Sequence, residues 1–147
     1  MFLYGRAHVL TMVNHKMVHP QEVEVYIVLP AIRRELSRCL KKRGVEQKEI
    51  AKKLGVTDAA ISQYLSDKRG QAEIDFPKDM APEFEREAKA LMDGVPMRNI
   101  LQKILRLVMD RNFTCKLHRK VCGTVPAGCA ICFDDPSQDK PNVKVKT

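Results

Sequence analysis

Long hydrophobic runs are missing from this sequence. Its longest uninterrupted apolar stretch falls far short of the roughly 18 to 20 residues that a membrane-spanning helix needs, so no span is expected. The opening stretch, MFLYGRAHVLTMVNHKM, also lacks the order of basic region, apolar core and small-residue cleavage site that marks a secretory leader. Internal Met12 and Met17 leave the natural start open. Without a leader the expected compartment is the cytoplasm, where thiols stay reduced. No Ser/His/Asp arrangement, phosphate-cradling loop or paired-carboxylate signature stands out, so no enzyme is expected. Internal repeats and low-complexity tracts are absent as well.

Acidic residues are in the minority. Eighteen of them face 26 lysines and arginines, giving a net charge of +8 over 147 residues. Between Ala31 and Gly70, eleven basic residues oppose five acidic ones, so +6 of that charge sits in one stretch. Such a concentration favours a polyanionic partner, and it is equally what a solvated basic face would show. The length has room for one modest core and an appendage.

Within the basic stretch lies GVEQKEIAKKLGVTDAAISQYLSDKRG, Gly44 to Gly70. Ile50, Ala51 and Leu54 recur at helical spacing, and Gly55 follows where a helix end calls for positive φ. Thr57 then offers a capping hydroxyl, with Asp58 in the first turn of a second helix. Ile61, Tyr64 and Leu65 form the second helix's apolar stripe, while Val56 plugs the turn. A small residue at Ala51 allows the two helices to cross closely. The pattern predicts helix, tight turn, helix.

Gln47, Ala51, Gly55, Val56, Thr57, Ile61, Ser62 and Leu65 fall where phage-repressor-like (XRE-type) helix-turn-helix regulators carry their pattern. The longer run from Leu29 to Gly70 resembles the archaeal branch of that family. The resemblance implies a preceding helix with Ile32, Leu36 and Leu40 on its core face. It also implies Gln47 at the DNA backbone, and Asp58, Ala59, Ser62 and Gln63 facing the major groove. By chemistry, Gln63 suits adenine, Ser62 either base type, and Asp58 a cytosine amino group or its own helix end. Lys48, Lys52, Lys68 and Arg69 are candidates for phosphate contacts. With Thr57 at the turn, these ten residues are the candidate DNA-binding set, and double-stranded DNA is the expected partner.

Around this module the reading is coarser. Val25, Val28, Ile32, Leu36 and Cys39 continue a helical stripe, yet Val23, Val25 and Ile27 alternate like a strand. A helix is therefore expected from about Pro30, with the residues before it left open. Cys39 reads as a small buried hydrophobe. Pro82 and Pro96 open two further helices, the first with Phe84, Ala88 and Leu91 on one face and Gly94 at its end. From Met97 to Met109, eight of thirteen residues are Met, Ile, Leu or Val, an arc wide enough to want partners on two sides. A homodimer is expected on that ground, since such regulators pair modules across two half-sites.

Four of the five cysteines gather at Cys115, Cys122, Cys129 and Cys132. The spacing Cys115-x6-Cys122-x6-Cys129-x2-Cys132 has one tight pair, where zinc fingers and ribbons usually show two. An iron–sulfur cluster accepts thiolates from a longer looped segment, and Gly123, Pro126 and Gly128 supply turns for it. Lys116, Arg119 and Lys120 would offset its negative charge. Zinc and metal-free thiols stay open as alternatives. The family resemblance implies a [4Fe–4S] cluster held by these four cysteines, and His118 is left outside a set that four thiolates complete. The expectation is an all-α protein: an extension over 1–24, a helix-turn-helix domain over 25–76 and a helical dimerisation segment over 77–110. A cysteine-rich loop module over 111–133 and a mobile tail over 134–147 follow. The rival reading is an iron–sulfur or zinc accessory protein, or electron carrier, that uses its helix-turn-helix to dock a protein.

Overall fold

The computed structural model describes residues 19–66, 74–126, 128, 129, 131 and 132. Among them every regular element is helical, as expected. Most of the extension and all of the tail lie outside the described residues.

The chain becomes helical at Pro20, ten residues before the expected start. α1 (Pro20–Val23) opens with proline in its first turn, and the His19 amide donates to the Glu22 carboxylate at 3.0 Å. A π-helical turn (Glu24–Val28) follows, then α2 (Leu29–Lys42). The backbone stays right-handed helical through both junctions, so these pieces form one helix. Pro30 explains the wide turn. In a regular α-helix its ring would press on the carbonyl of Tyr26 and its missing N–H would leave that carbonyl unpaired. Within the widened turn the Leu29 amide reaches back to the Glu24 carbonyl instead. The alternation of Val23, Val25 and Ile27 was thus no strand. Val23, Ile27 and Val28 are buried while Val25 and Tyr26 stay exposed, because a π turn shifts the phase of the helical stripe.

α2 is the hub. α3 (Gln47–Leu54), α4 (Asp58–Leu65) and α5 (Ala81–Met92) all pack on it. Ile32, Leu36 and Leu40 are fully buried there, alongside Ile50, Leu54, Ile61, Phe84 and Ala88. A short 3-10 turn (Lys78–Met80) leads into α5. α6 (Met97–Asp110) packs on α5, and α7 (Phe113–Val121) packs on α6 and folds back on α1. The cysteine-rich module is therefore half helix, not loop alone. Asn112, at φ 56, makes the break between α6 and α7.

The wide apolar arc of α6 is largely covered within the chain. Ile100, Ile104 and Val108 are buried, and Met97, Leu101, Leu105 and Leu107 pack in part against the same core. Met109 is left 47% exposed.

Two buried charges had no signal in the sequence. Arg34, fully buried, donates to the Ile74 carbonyl at 2.7 Å and meets the carboxylates of Glu35 (3.0 Å) and Asp75 (3.4 Å). It fastens the chain beyond α4 to the hub helix, and a guanidinium removed from water requires partners of this kind. Glu87 on α5, 2% exposed, accepts from Lys103 of α6 at 2.9 Å and from Arg86 at 3.3 Å. Phe76 joins distant pieces, its ring centroid 5.0 Å from those of Phe84 and of Phe113 at the start of α7.

Candidate nucleic-acid interface and thiol-rich cavity

The turn between α3 and α4 is built as its residues demand. Gly55 adopts φ 66, and the Val56 amide closes on the Ala51 carbonyl at 3.0 Å. A side chain with a β-carbon is disfavoured in that left-handed conformation. The Thr57 hydroxyl accepts from the Ala60 amide at 3.1 Å and so caps α4. Ala60, Ile61 and Tyr64 point into the core, with Leu65 partly buried. This leaves Asp58, Ala59, Ser62 and Gln63 exposed along the opposite side of α4. The candidate base-reading residues therefore share one solvent-facing stripe.

Gln47 is less free than its expected role implies. Its side-chain amide donates to the Asp58 carbonyl at 3.3 Å, tying the first residue of α3 to the first residue of α4. Lys48 and Lys52 are exposed one turn apart on α3. Lys68 and Arg69 lie outside the described residues. Lys53, which the sequence reading passed over, donates to the Leu91 carbonyl at 3.2 Å and holds α3 to the end of α5. Arg43 pairs with Glu85 at 3.0 Å and strengthens the same junction.

At the other end, all five cysteines are free thiols. Cys39 is buried in the hub helix, as expected, and burial, aided by Glu85, pushes its thiol up to about 12. Cys122, Cys129 and Cys132 line one cavity of ≈ 420 Å³, together with His118 from α7 and His19, Pro20 and Gln21 at the start of α1. Cys115 stands half-buried on α7. Burial raises the Cys132 thiol, and the charges of Cys115 and Cys129, then of Glu24, raise it further. Cys122 differs. Its sulfur lies 3.1 Å from the Thr124 hydroxyl, and that hydrogen bond lowers its thiol below the ordinary range. Arg119 donates to the Cys129 carbonyl at 3.2 Å and pins the following loop to α7.

Among the described residues, no three His, Cys, Asp or Glu side chains stand close enough to hold a single ion. The cavity lining gathers the three thiols of Cys122, Cys129 and Cys132 with the imidazoles of His19 and His118. No described helix is long and apolar enough to cross a membrane.

No curated protein and no solved structure matches the chain. Residues 36–72 match the family model described as Helix-turn-helix, which covers the second half of α2, the whole of α3 and α4, and the turn between them, and which supports a DNA-binding regulator in general terms.

Proposed function

We propose that this protein is a sequence-specific, DNA-binding transcription regulator whose thiol-rich end holds a [4Fe–4S] cluster as a redox- or gas-responsive switch. The observation that carries the DNA reading is the exposed stripe Asp58, Ala59, Ser62 and Gln63 on a helix whose other side is locked into the core. Gln63 reads a base from there, and Lys48 and Lys52 hold phosphates from α3. Replacing Gln63 by Ala relaxes base preference at one position per half-site, at a cost of about 1 to 3 kcal/mol. Selection from genomic fragments that returns no enriched motif with the metal-loaded protein would remove the DNA reading.

The switch reading rests on how the two ends connect. α7 packs on α1, and α1 runs through the π turn into α2, on which α3 and α4 sit. His19, Pro20 and Gln21 form part of the cavity wall, so the site and the DNA-binding module share one helix. When bound, the cluster supplies an electron-accepting centre sensitive to oxidants and gases. The thiols of the cavity would hold it, and α1, whose first residues form part of the cavity wall, would carry its presence or loss to α2. Pairing of two chains across two half-sites belongs to the same proposal, with the partly exposed side of α6 at Leu101 and Leu105 as its contact.

The test is an operator titration with the loaded and the metal-free protein. A difference of about 1 to 3 kcal/mol, typical of coupled sites, is expected at unchanged oligomeric state. Equal affinity of the two folded forms would make the metal a structural clip. Light scattering that shows a monomer where operator binding is saturated would remove the pairing.

A further inference from the structure

We propose that Lys116 and Lys120, on the exposed face of α7, form a second duplex contact that holds phosphates beyond the half-site read by α4. This rests on the reading of the protein as a DNA-binding regulator, and it extends the interface to the thiol-rich end. The charge of the chain is divided into zones. Between Gly94 and Phe133, seven lysines and arginines face a single acid, Asp110. Gln71 to Asp93, by contrast, has seven acidic residues against three basic ones. The helix-turn-helix stretch and the C-terminal stretch are therefore two basic zones with an acidic one between them. Charges placed only for solubility mix both signs, so a one-signed zone points to a polyanion.

Within that zone α7 carries no acidic residue, and its Lys116, Arg119 and Lys120 are exposed. Spacings of three and four place them on one face of the helix. His118 and Cys122 line the cavity, whereas none of the three cations does, so the stripe looks outward. Arg119 is engaged in part by the Cys129 carbonyl. No described side chain pairs with Lys116 or Lys120. Of the carboxylates on neighbouring α1, Glu22 is taken up by the His19 amide. Compensation of the helix dipole accounts for Lys120 in the last turn and leaves Lys116, a turn earlier, unexplained. The fold also places the stripe at a useful distance. α3 and α4 pack on α2, and α7 packs on α1, at the other end of the same continuous helix. From Pro20 to Lys42 that helix is roughly 34 Å long at 1.5 Å per residue. One turn of duplex rises by about the same amount. With α4 in the groove, the backbone that returns to the protein's side one turn further on meets the α7 face.

The test uses the full chain, purified without oxygen, beside Lys116→Ala/Lys120→Ala and Lys116→Arg/Lys120→Arg. The fragment enriched by genomic selection is cut to about 20 base pairs, enough for two half-sites, and extended to about 40. Affinity is titrated from about 50 to 200 mM salt, over which each phosphate contact changes it three- to fourfold. On the long duplex the Ala pair should lower the slope of log affinity against log salt by about 2 for each bound chain. Wild type should therefore lose about tenfold more affinity across the series. The Arg pair should keep the wild-type slope, and on the short duplex all three proteins should coincide. An unchanged slope on the long duplex would overturn the second contact while leaving the DNA reading intact. So would a lower slope on both duplexes, which would place the lysines inside the half-site. Iron, sulfide and zinc are measured in each protein, and the titrations are repeated after the metal is removed. A slope difference that vanishes with the metal would assign the lysines to the metal centre and overturn the contact. Weaker binding of the Ala pair to anionic phospholipid vesicles, with the long-duplex slope unchanged, would make the polyanion a membrane surface instead. Selection that yields no motif, or wild type that binds neither duplex, would overturn the DNA reading, and the second contact with it.

Discussion

The two functional ends of this chain are held together by different physics. The α3–α4 end is finished by its own residues: a capped helix, a left-handed glycine, and apolar side chains that close on α2. The thiol-rich end has a helix on one side and a loop on the other, with a cavity between them. Among the described residues, the buried Thr114 hydroxyl on α7 has no hydrogen-bond partner, as is also true of Arg33 Nε on α2 and Glu87 Oε2 on α5. One end therefore attains its shape from caps and packing within the chain, whereas the other leaves a cavity of ≈ 420 Å³ between its elements.

Thiol chemistry gives the largest expected contrast. Cys39 at about 12, against an ordinary 9.0, carries about a thousandfold less thiolate than an unperturbed cysteine near neutral pH. In the reduced, metal-free chain at pH 8, alkylation followed by peptide mass analysis should mark the half-buried Cys115, Cys129 and Cys132 before the buried Cys122, and Cys39 only on unfolding. Removing the Thr124 hydroxyl should slow Cys122. Labelling of Cys39 at the rate of the others would show that the hub helix opens as readily as the cavity.

Stability sharpens the comparison next. Ile61 is fully buried between α4 and the hub, so Ile61→Ala should cost about 2 to 5 kcal/mol in urea unfolding. The loss should be the same with and without metal. A loss that differs with metal loading would mean that Ile61→Ala changes metal affinity, so that packing on the hub reaches the thiol-rich end.

The same difference decides what could be read in advance. Each residue of the turn has a local duty, so Gly55, Thr57, Ile61 and Tyr64 announced their roles through spacing alone, and Pro82 and Pro96 marked their helices. The π turn was not legible, because Pro30 looks like a helix start unless the preceding backbone is known to be helical already. Arg34 and Glu87 were illegible for a related reason: their partners Ile74 and Lys103 lie 40 and 16 residues away. At the cysteines the residue types were plain, but which of them meet depends on how α7 folds back on α1. His118, set aside on a count of thiols, is buried and lines the cavity with Cys122, Cys129 and Cys132.

The smallest expected effect separates two adjacent lysines. Lys52 is exposed on α3, one turn from Lys48, while Lys53 donates to the Leu91 carbonyl and belongs to the α3–α5 junction. If Lys52 holds a phosphate, Lys52→Ala weakens binding alike for every sequence and lowers the slope of log affinity against log salt by about 1. Its effect on unfolding should stay within about 0.5 kcal/mol, as for other surface changes. Lys53→Ala should do the reverse, reducing stability by about 1 kcal/mol through the lost hydrogen bond while leaving the salt slope unchanged. The measurement is a binding titration across a salt series, paired with urea unfolding of each variant. An unchanged slope in Lys52→Ala would take that side of α3 away from the DNA. A lowered slope in Lys53→Ala would mean that its bond to α5 gives way when DNA is bound, so that the junction itself takes part in recognition.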